Sequence, residues 1–328
     1  MKQLTLVITI FLFSQFCIAQ LINTKPVEIP LGPVNFNAAI VKQNKIKNIQ
    51  LVMVDKPDGE MIIDKGGTQG YEFDRNGNLT RYYYTILNRT ENLEEDVSQL
   101  VRRGKVVRQA GTRTVKKYYN DTIFVDVFYN NTNWVIAKRA HTGDYYDAYY
   151  YEYNAEGRIQ KEVHCRETNV SENIKEFKLG VQSILSSETF QYTTLTATQL
   201  KKSCLNDEGR EYKKAIINYD DHKKKLSENY EFIVSWMQAD YYYKYDSTSN
   251  LIEKTFSSNE SGEMKTESAY EYNAYGDVIT EKRFKKGVLT DEINILYDDT
   301  TRLPKSEVNR DHINASIGIV KFGYTYYD

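Results

Sequence analysis

The sequence predicts a mainly β fold in which antiparallel β-hairpin repeats form a curled meander or spiral sheet, with at most one or two short helices. A nine-residue aromatic motif recurs, its neighbouring copies starting 24 to 27 residues apart. Turn residues in the last third of the chain fall 11 to 14 residues apart, which leaves strands of ordinary length between them. The chain has only 5 Pro, as expected where most backbone N–H groups are needed in a strand ladder.

Composition places the chain among soluble folded proteins. Its 328 residues carry 43 Lys+Arg against 45 Asp+Glu, and 41% of the residues are hydrophobic. These values suit one large or two ordinary domains and exclude an intrinsically disordered chain. The near-neutral balance gives no reason to expect a nucleic-acid partner. Three Cys are too few for a small scaffold held together by disulfides.

The N-terminus reads as a cleaved signal peptide, residues 1–19. One positive charge precedes the apolar run Leu4–Phe13, and Cys17 and Ala19 are small residues at positions −3 and −1 of a cleavage site. A lipoprotein anchored through Cys17 is the alternative, although the preceding Phe16 is larger than such sites prefer. We therefore expect export to the periplasm, the cell surface or the medium. No later run approaches the roughly 20 apolar residues of a membrane-spanning helix, so no transmembrane segment is predicted.

Residues 20–46 are predicted to be an irregular lead-in or cap. The stretch contains Pro26, Pro30 and Pro33, which disfavour ladder strands. Asn37 is a helix-cap candidate before four apolar residues, which predicts a short helix between Asn37 and Asn48 with a strand as the alternative.

The aromatic motif is read as a hairpin. Alternating aromatic residues form a strand with one buried face, Asp or Asn begins a type I turn, and Gly three positions later takes the left-handed conformation. An aliphatic residue two positions past the Gly starts the return strand. The clearest copy is Tyr71-Glu-Phe73-Asp74-Arg-Asn-Gly77-Asn-Leu79. The residues assigned this structural role are Tyr71, Asp74, Gly77, Tyr151, Asn154, Gly157, Tyr243, Asp246, Tyr270, Asn273 and Gly276.

The hairpin repeats are predicted to fill residues 47–328, with a less regular insertion near 165–206. Within that insertion, residues 171–187 carry apolar side chains at spacings of 3 and 4, which suits a helix, although a strand is the alternative. Some twenty short strands exceed what an open twisted sheet usually sustains, so the sheet must curl or fold over. The sequence leaves open whether it becomes a spiral, a barrel or a sandwich.

The motif Y-x-[YF]-[DN]-x-x-G-x-[LIV] resembles the YD repeat, or RHS repeat, of secreted bacterial proteins. The copies that start at Tyr71, Tyr151 and Tyr270 match best. The resemblance implies a long spiralling β-sheet, which in the largest members of the family encloses a toxin. This chain is far shorter and has no toxin-like segment after the repeats, so encapsulation is not carried over. A MORN-like repeat is the second resemblance, although its Gly lies nearer the aromatic pair.

Catalytic and metal-binding signatures are absent from the sequence. The four His have no metal-ligand spacing, and neither C-x-x-C nor G-x-S-x-G occurs. The sequence therefore predicts no metal, no cofactor and no enzyme activity. A hydrolase that uses Asp/Glu pairs from adjacent strands remains the catalytic alternative.

Two further groups of residues are candidates for a role. Tyr83, Tyr145, Tyr150 and Tyr242 lie in or beside tyrosine clusters, and they are either cross-strand packing residues or an exposed aromatic platform for a glycan or a partner protein. Cys165 and Cys204 are either one disulfide or two separate buried thiols.

The sequence thus predicts a non-catalytic exported repeat protein that acts as a scaffold or binding module. A carbohydrate-binding module that uses exposed tyrosines is one alternative, and a partner or immunity protein of a secreted toxin is another. The partner is unknown, but a protein or a glycan is expected rather than a small molecule.

Overall fold

The computed structural model describes residues 20–97, 100–102, 105–108, 111–141, 143–172, 176–260 and 262–328. The predicted signal peptide lies outside these residues. Within them the chain is almost entirely antiparallel β-structure, as predicted, with one short helix, α1 (Ala38–Gln43). No helix among the described residues is long and apolar enough to cross a membrane.

Twenty strands follow one another along the described chain. They are β1 (Ile46–Pro57), β2 (Ile63–Phe73), β3 (Leu79–Val97), β4 (Leu100–Arg102), β5 (Lys105–Arg108), β6 (Gly111–Tyr129), β7 (Val135–His141), β8 (Tyr146–Tyr153), β9 (Ile159–Asn169), β10 (Leu179–Thr196), β11 (Gln199–Leu205), β12 (Glu211–Tyr219), β13 (Lys225–Phe232), β14 (Gln238–Tyr245), β15 (Leu251–Ser258), β16 (Met264–Tyr272), β17 (Val278–Lys285), β18 (Val288–Tyr297), β19 (Pro304–Asp311) and β20 (Ser316–Tyr326).

Eighteen of the described strands form one sheet that closes on itself. Each strand pairs with its neighbours in sequence, except that β3 pairs with β6 across the separate β4–β5 hairpin. The last strand, β20, pairs with β1 over a long register from Ile46↔Tyr326 to Pro57↔Ser316, and β1 also pairs with β2. The sheet is therefore a closed cylinder, a more specific architecture than the predicted meander or spiral. Closure removes the exposed edges that an open sheet would present.

Both helix predictions can be compared with the structure. The first is confirmed, because the Asn37 side chain caps α1 by accepting a hydrogen bond from the N–H of Ala39. The helix predicted for residues 171–187 is wrong from Leu179 onward, and the strand alternative is correct there, because β10 begins at Leu179 and pairs with β9. Residues 173–175 of this stretch lie outside the described residues. Val181 and Ile184 are 67% and 68% exposed, so the spacing of 3 and 4 does not mark a buried helix face.

Strand alternation divides the side chains into an inward and an outward set. The inward set contains the first aromatic or aliphatic residue of each motif, such as Tyr71 and Tyr243, which are 0% and 7% exposed. The outward set carries cross-strand ion pairs beside exposed apolar side chains such as Phe124 and Leu296. These pairs are Arg81–Asp126, Lys201–Glu211, Lys214–Glu231, Lys244–Glu253 and Lys282–Glu271, at 2.6, 3.1, 3.0, 2.7 and 3.0 Å.

The second aromatic position of the motif links neighbouring hairpins. At this position the tyrosine hydroxyl donates to a backbone carbonyl of the preceding strand, so each hairpin is tied to the one before it. A buried phenol and a buried carbonyl both need a partner, and each satisfies the other. The bonds are Tyr129 to Leu79 (3.0 Å), Tyr153 to Val135 (2.7 Å), Tyr245 to Lys225 (2.9 Å), Tyr272 to Leu251 (2.6 Å) and Tyr297 to Val278 (2.8 Å).

Residues 20–36, named here the crossing segment, lie across the end of the cylinder where the motif turns are found. Gln20 accepts a hydrogen bond from the N–H of Val278 on β17 at 3.0 Å, and Thr24 contacts the hydroxyl of Tyr272 at 2.9 Å. At the far side, Phe36 packs edge-on against Tyr71 with ring centroids 4.7 Å apart. The crossing segment thus contacts strands on two sides of the cylinder, β16 and β17 on one and β2 on the other.

Candidate binding cavity

The interior of the cylinder contains a partly open cavity of about 1280 Å³. Side chains of β1, β2 and β10–β20 line it, and much of the crossing segment forms a further wall. Aromatic rings are prominent in this lining, and all belong to tyrosines except two phenylalanines. The lining tyrosines are Tyr192, Tyr219, Tyr230, Tyr241, Tyr243 and Tyr270.

Strand alternation also places charged residues in the cavity. On β11, Lys202 lies between the buried residues Leu200 and Cys204 and therefore points inward with them. On β12, Lys213 is in phase with the buried Ala215 and Ile217. The adjacent Lys201 and Lys214 point outward, where they form the ion pairs described above.

Some of the inward charges neutralise each other. Lys225 and Glu228 form an ion pair at 2.7 Å. Burial opposes ionisation of Glu228, but attraction to Lys225 and hydrogen bonds from Lys225 and Tyr230 outweigh it and lower the pKa of the carboxyl. Arg283 holds Glu281 through two hydrogen bonds of 2.8 and 3.1 Å.

Four cations that border the cavity have no ion-pair partner among the described residues: Lys25, Arg158, Lys202 and Lys254. Two of them lie near aromatic rings. The Arg158 guanidinium is 5.3 Å from the ring centre of Tyr192, and Lys202 Nζ is 4.2 Å from that of Phe190. The cavity thus has a cationic and aromatic side, formed by β9–β12 and β15.

The other side of the cavity offers groups for hydrogen bonding. Burial, together with repulsion from Glu281, raises the pKa of Glu307 despite the nearby Arg283. On the same strand, Asn309 Oδ1 is buried without a hydrogen-bond partner. Such a buried acceptor is costly unless something donates to it.

The lining phenols stay neutral at physiological pH. Burial raises the pKa of Tyr192, Tyr230, Tyr243 and Tyr270 above the usual value. Nearby Glu228 raises that of Tyr230 further. These hydroxyls are therefore available as hydrogen-bond donors and acceptors, and the rings as packing surfaces.

The motif residues named in the sequence analysis lie in the hairpins as the motif requires. The rings of Tyr71, Tyr151, Tyr243 and Tyr270 all face inward. Gly77, Gly157 and Gly276 have positive φ values of 84°, 76° and 84°. At each turn the Asp or Asn side chain accepts two backbone N–H bonds of 2.8 to 3.1 Å. The acceptors are Asp74, Asn154, Asp246 and Asn273.

The four candidate platform tyrosines do not come together. Tyr83 lies on the outer face across Gly70 and beside Phe124, whereas Tyr242 is on β14 and 45% exposed. The ring of Tyr145 lies against a guanidinium, with Arg166 Cζ 3.9 Å from its centre. A single platform would need these rings on one surface, and the closed sheet distributes them around its circumference.

Tyr150 belongs to a buried polar cluster on the outer face. Its hydroxyl donates to Glu167, which is 0% exposed and also accepts from Arg139 and Gln182, each at 2.7 Å. Burial opposes ionisation of Glu167, but these hydrogen bonds outweigh it and hold its pKa below the usual range. The cluster fixes the start of β10 on β9, a role that no motif in the sequence indicates.

Cys165 and Cys204 are both free and buried, so the disulfide that was one of the two alternatives is not formed. Cys165 pairs across strands with Ala148 on the outer face, whereas Cys204 is in phase with the inward Lys202. The two thiols therefore lie on opposite faces of the sheet.

The sequence analysis missed the cavity-lining cations and tyrosines, Lys202 and Lys213 among them. A signal was present, because a lysine in phase with buried residues of a strand must point the same way as they do. An inward lysine can be recognised as a cavity residue only when it is known that the sheet closes around a lumen.

Within the described ranges, no three His, Cys, Asp or Glu side chains are grouped so as to hold a metal ion.

Comparison with known proteins gives no family. No family model and no curated protein matches the chain. Among solved structures, a porin-like protein from Bacteroides uniformis aligns with a TM-score of 0.35 and 11% identity, over 86% of this chain and 97% of that one. The Tc holotoxin pore of Photorhabdus luminescens aligns with a TM-score of 0.27 and 10% identity, over 77% of this chain and 11% of that one.

A porin-like protein from Bacteroides vulgatus aligns with a TM-score of 0.27 and 8% identity, over 64% of this chain and 95% of that one. TM-scores below 0.5 at such identities indicate no shared function.

Proposed function

We propose that this chain is an exported, non-catalytic binding protein of the YD-repeat type that holds an oligosaccharide in its cavity. The observation that carries the proposal is the cavity of about 1280 Å³ lined by six tyrosines. Ligand sites are typically concave, rich in aromatic residues and supplied with a few polar groups, and this cavity has all three properties.

Sugar chemistry suits this lining. The C–H face of a sugar ring is apolar and packs on the electron-rich face of a tyrosine. Its hydroxyls need donors and acceptors, which the neutral phenols and the unpartnered Asn309 Oδ1 supply. The platform is thus inside the cylinder, in contrast to the exposed clusters considered from the sequence.

Two observations favour binding over turnover. Glu228 and Glu281 are each engaged by a cation, Lys225 and Arg283 respectively. The lining phenols have raised pKa values, which is opposite to the lowered value of an activated nucleophile.

The outward face supports an aqueous setting. Hydrocarbon requires an apolar outer band on a cylinder of strands, whereas this face carries the ladder of ion pairs. Together with the predicted signal peptide, this supports a protein of the periplasm, the cell surface or the medium.

The test fills the cavity without changing its charge. Ala239 lines the cavity opposite Tyr230, so Ala239→Trp should obstruct it, whereas Ala269→Trp places the same ring on the outer face opposite Glu253. Both variants and the parent chain are applied to an array of neutral and acidic glycans, with circular dichroism as a check on folding.

We expect the parent chain and Ala269→Trp to bind the same glycans and Ala239→Trp to lose at least tenfold in affinity, because the added ring occupies ligand volume. Binding that survives in folded Ala239→Trp, or a parent chain that binds no glycan, would contradict the proposal.

A further inference from the structure

We infer that the cavity selects acidic oligosaccharides, and that Glu28 of the crossing segment occupies the carboxylate subsite until the ligand displaces it. This inference rests on the proposed function, since it names the ligand class of the same cavity. The subsite is formed by Arg158, Tyr192 and Lys202.

The subsite combines two cations with one ring. Tyr192 and Lys202 are a cross-strand pair on β10 and β11, with Lys202 Nζ 5.9 Å from the centre of the Tyr192 ring. The Arg158 guanidinium lies 5.3 Å from the same centre. Neither cation has an ion-pair partner within 4.0 Å among the described residues, and Glu162 and Glu228 attract Lys202 only from beyond that distance. An incoming anion would therefore meet two positive charges without a direct partner, beside a stacking surface.

The carboxylate of Glu28 indicates the position that we expect the ligand carboxylate to take. Its Oε1 lies 3.5 Å from the hydroxyl of Tyr192, and this carboxylate lines the same cavity as Arg158 and Lys202. The contact is long, because the Tyr192 hydroxyl makes its shorter bond, 2.9 Å, to the carbonyl of Ile159. Glu28 is also exposed and forms no ion pair within 4.0 Å among the described residues, so it is weakly held.

The opposite wall of the cavity offers hydrogen-bonding groups for the sugar hydroxyls. A uronic acid carries hydroxyls as well as a carboxylate, and Asn309 Oδ1 and Glu307 face the cavity from β19. A neutral sugar would satisfy that wall but would bring no anion into direct contact with Arg158 and Lys202. A sugar acid satisfies both sides at once, which is the basis of discrimination between ligands.

The experiment compares a galacturonic-acid hexamer with maltohexaose by isothermal titration of the mature chain. We expect the acidic hexamer to bind at least about tenfold more tightly than the neutral one, with an advantage that shrinks as salt is raised. Lys202→Gln should weaken binding of the acidic hexamer about tenfold, while Lys201→Gln, the adjacent outward lysine, should leave it unchanged.

Glu28→Gln provides the complementary arm. Removing the competing carboxylate should tighten binding of the acidic hexamer by roughly threefold to tenfold, because the two anions no longer compete. A gain in affinity cannot arise from misfolding, so this arm stays informative if Lys202→Gln is unstable.

Each other outcome overturns the inference. Equal binding of both hexamers, lost in Ala239→Trp, would leave the proposed function standing and remove acidic selectivity. No change in Glu28→Gln would remove the competing role of that residue. Binding of an oligothymidylate in place of the acidic hexamer would assign the cations and rings to a nucleic acid.

Discussion

The second aromatic position of the motif is Tyr in six of seven copies and Phe only at Phe73, and in five of the six the hydroxyl bonds to a carbonyl of the preceding strand. The sequence indicates an inward ring there, which the structure has. It does not indicate the hydroxyl bond to the preceding strand, because that bond depends on which strands are neighbours and in which register. Tyrosine content therefore reflects hairpin coupling as well as packing.

Tyr297→Phe tests this coupling. The Tyr297 hydroxyl donates to the carbonyl of Val278 at 2.8 Å, and its removal leaves that carbonyl without this donor. We expect the free energy of unfolding to fall by about 1 to 2 kcal/mol, measured by urea denaturation.

Tyr242→Phe is the matched control. Its side chain lies on the outer face and is 45% exposed, and its hydroxyl accepts one bond, from the side-chain amide of Asn229 at 3.1 Å. A change below about 0.5 kcal/mol is expected there. Equal losses in the two variants would contradict the coupling role.

At the scale of elements, the motif turn was the feature most fully predictable from sequence. Asp74 accepts the backbone N–H groups of Asn76 and Asn78, and Gly77 takes φ of 84°, as the order Asp-x-x-Gly requires. The docking of α1 on this turn was not predictable, because Ala38 and Gly77 are far apart in the sequence and no motif links them. An added Cβ at Gly77 would lie 2.1 Å from the carbonyl oxygen of Ala38.

Gly77→Ala should therefore cost more than an ordinary turn glycine. Gly209 has a similar φ of 77° but nothing within 4 Å of an added Cβ. We expect Gly209→Ala to cost about 1 to 2 kcal/mol from backbone strain alone. Gly77→Ala should exceed this by about 1 kcal/mol or more, because α1 must also move.

Thermal denaturation of the two glycine variants, with hydrogen exchange at residues 38–43, separates the two contributions. The helix amides should lose protection only in Gly77→Ala. Similar behaviour of both variants would show that α1 does not depend on the turn.

At the scale of the whole molecule, the sequence predicted the strand content and the need to curl, but not the closure. Closure depends on β1 meeting β20, and their side chains carry no motif that marks them as partners. The helix predicted for residues 171–187 failed for a related reason, since pairing with β9 decides the structure of that stretch from Leu179 onward. The cavity follows from closure, so its lining was beyond sequence reasoning.

Closure also changes the meaning of charge in the strands. Lys201 and Lys202 are adjacent residues of the same type, yet Lys201 forms an outward ion pair and Lys202 borders the cavity. We propose that the cavity-lining tyrosines, together with Arg158 and Lys202, bind the acidic oligosaccharide.

The most direct measurement is a crystal structure of residues 20–328 with the galacturonic-acid hexamer. The account predicts sugar density inside the cylinder, with a carboxylate against Arg158 and Lys202 and with Glu28 displaced from Tyr192. Density on the outer face, for example at Tyr242, with an empty cavity would contradict it.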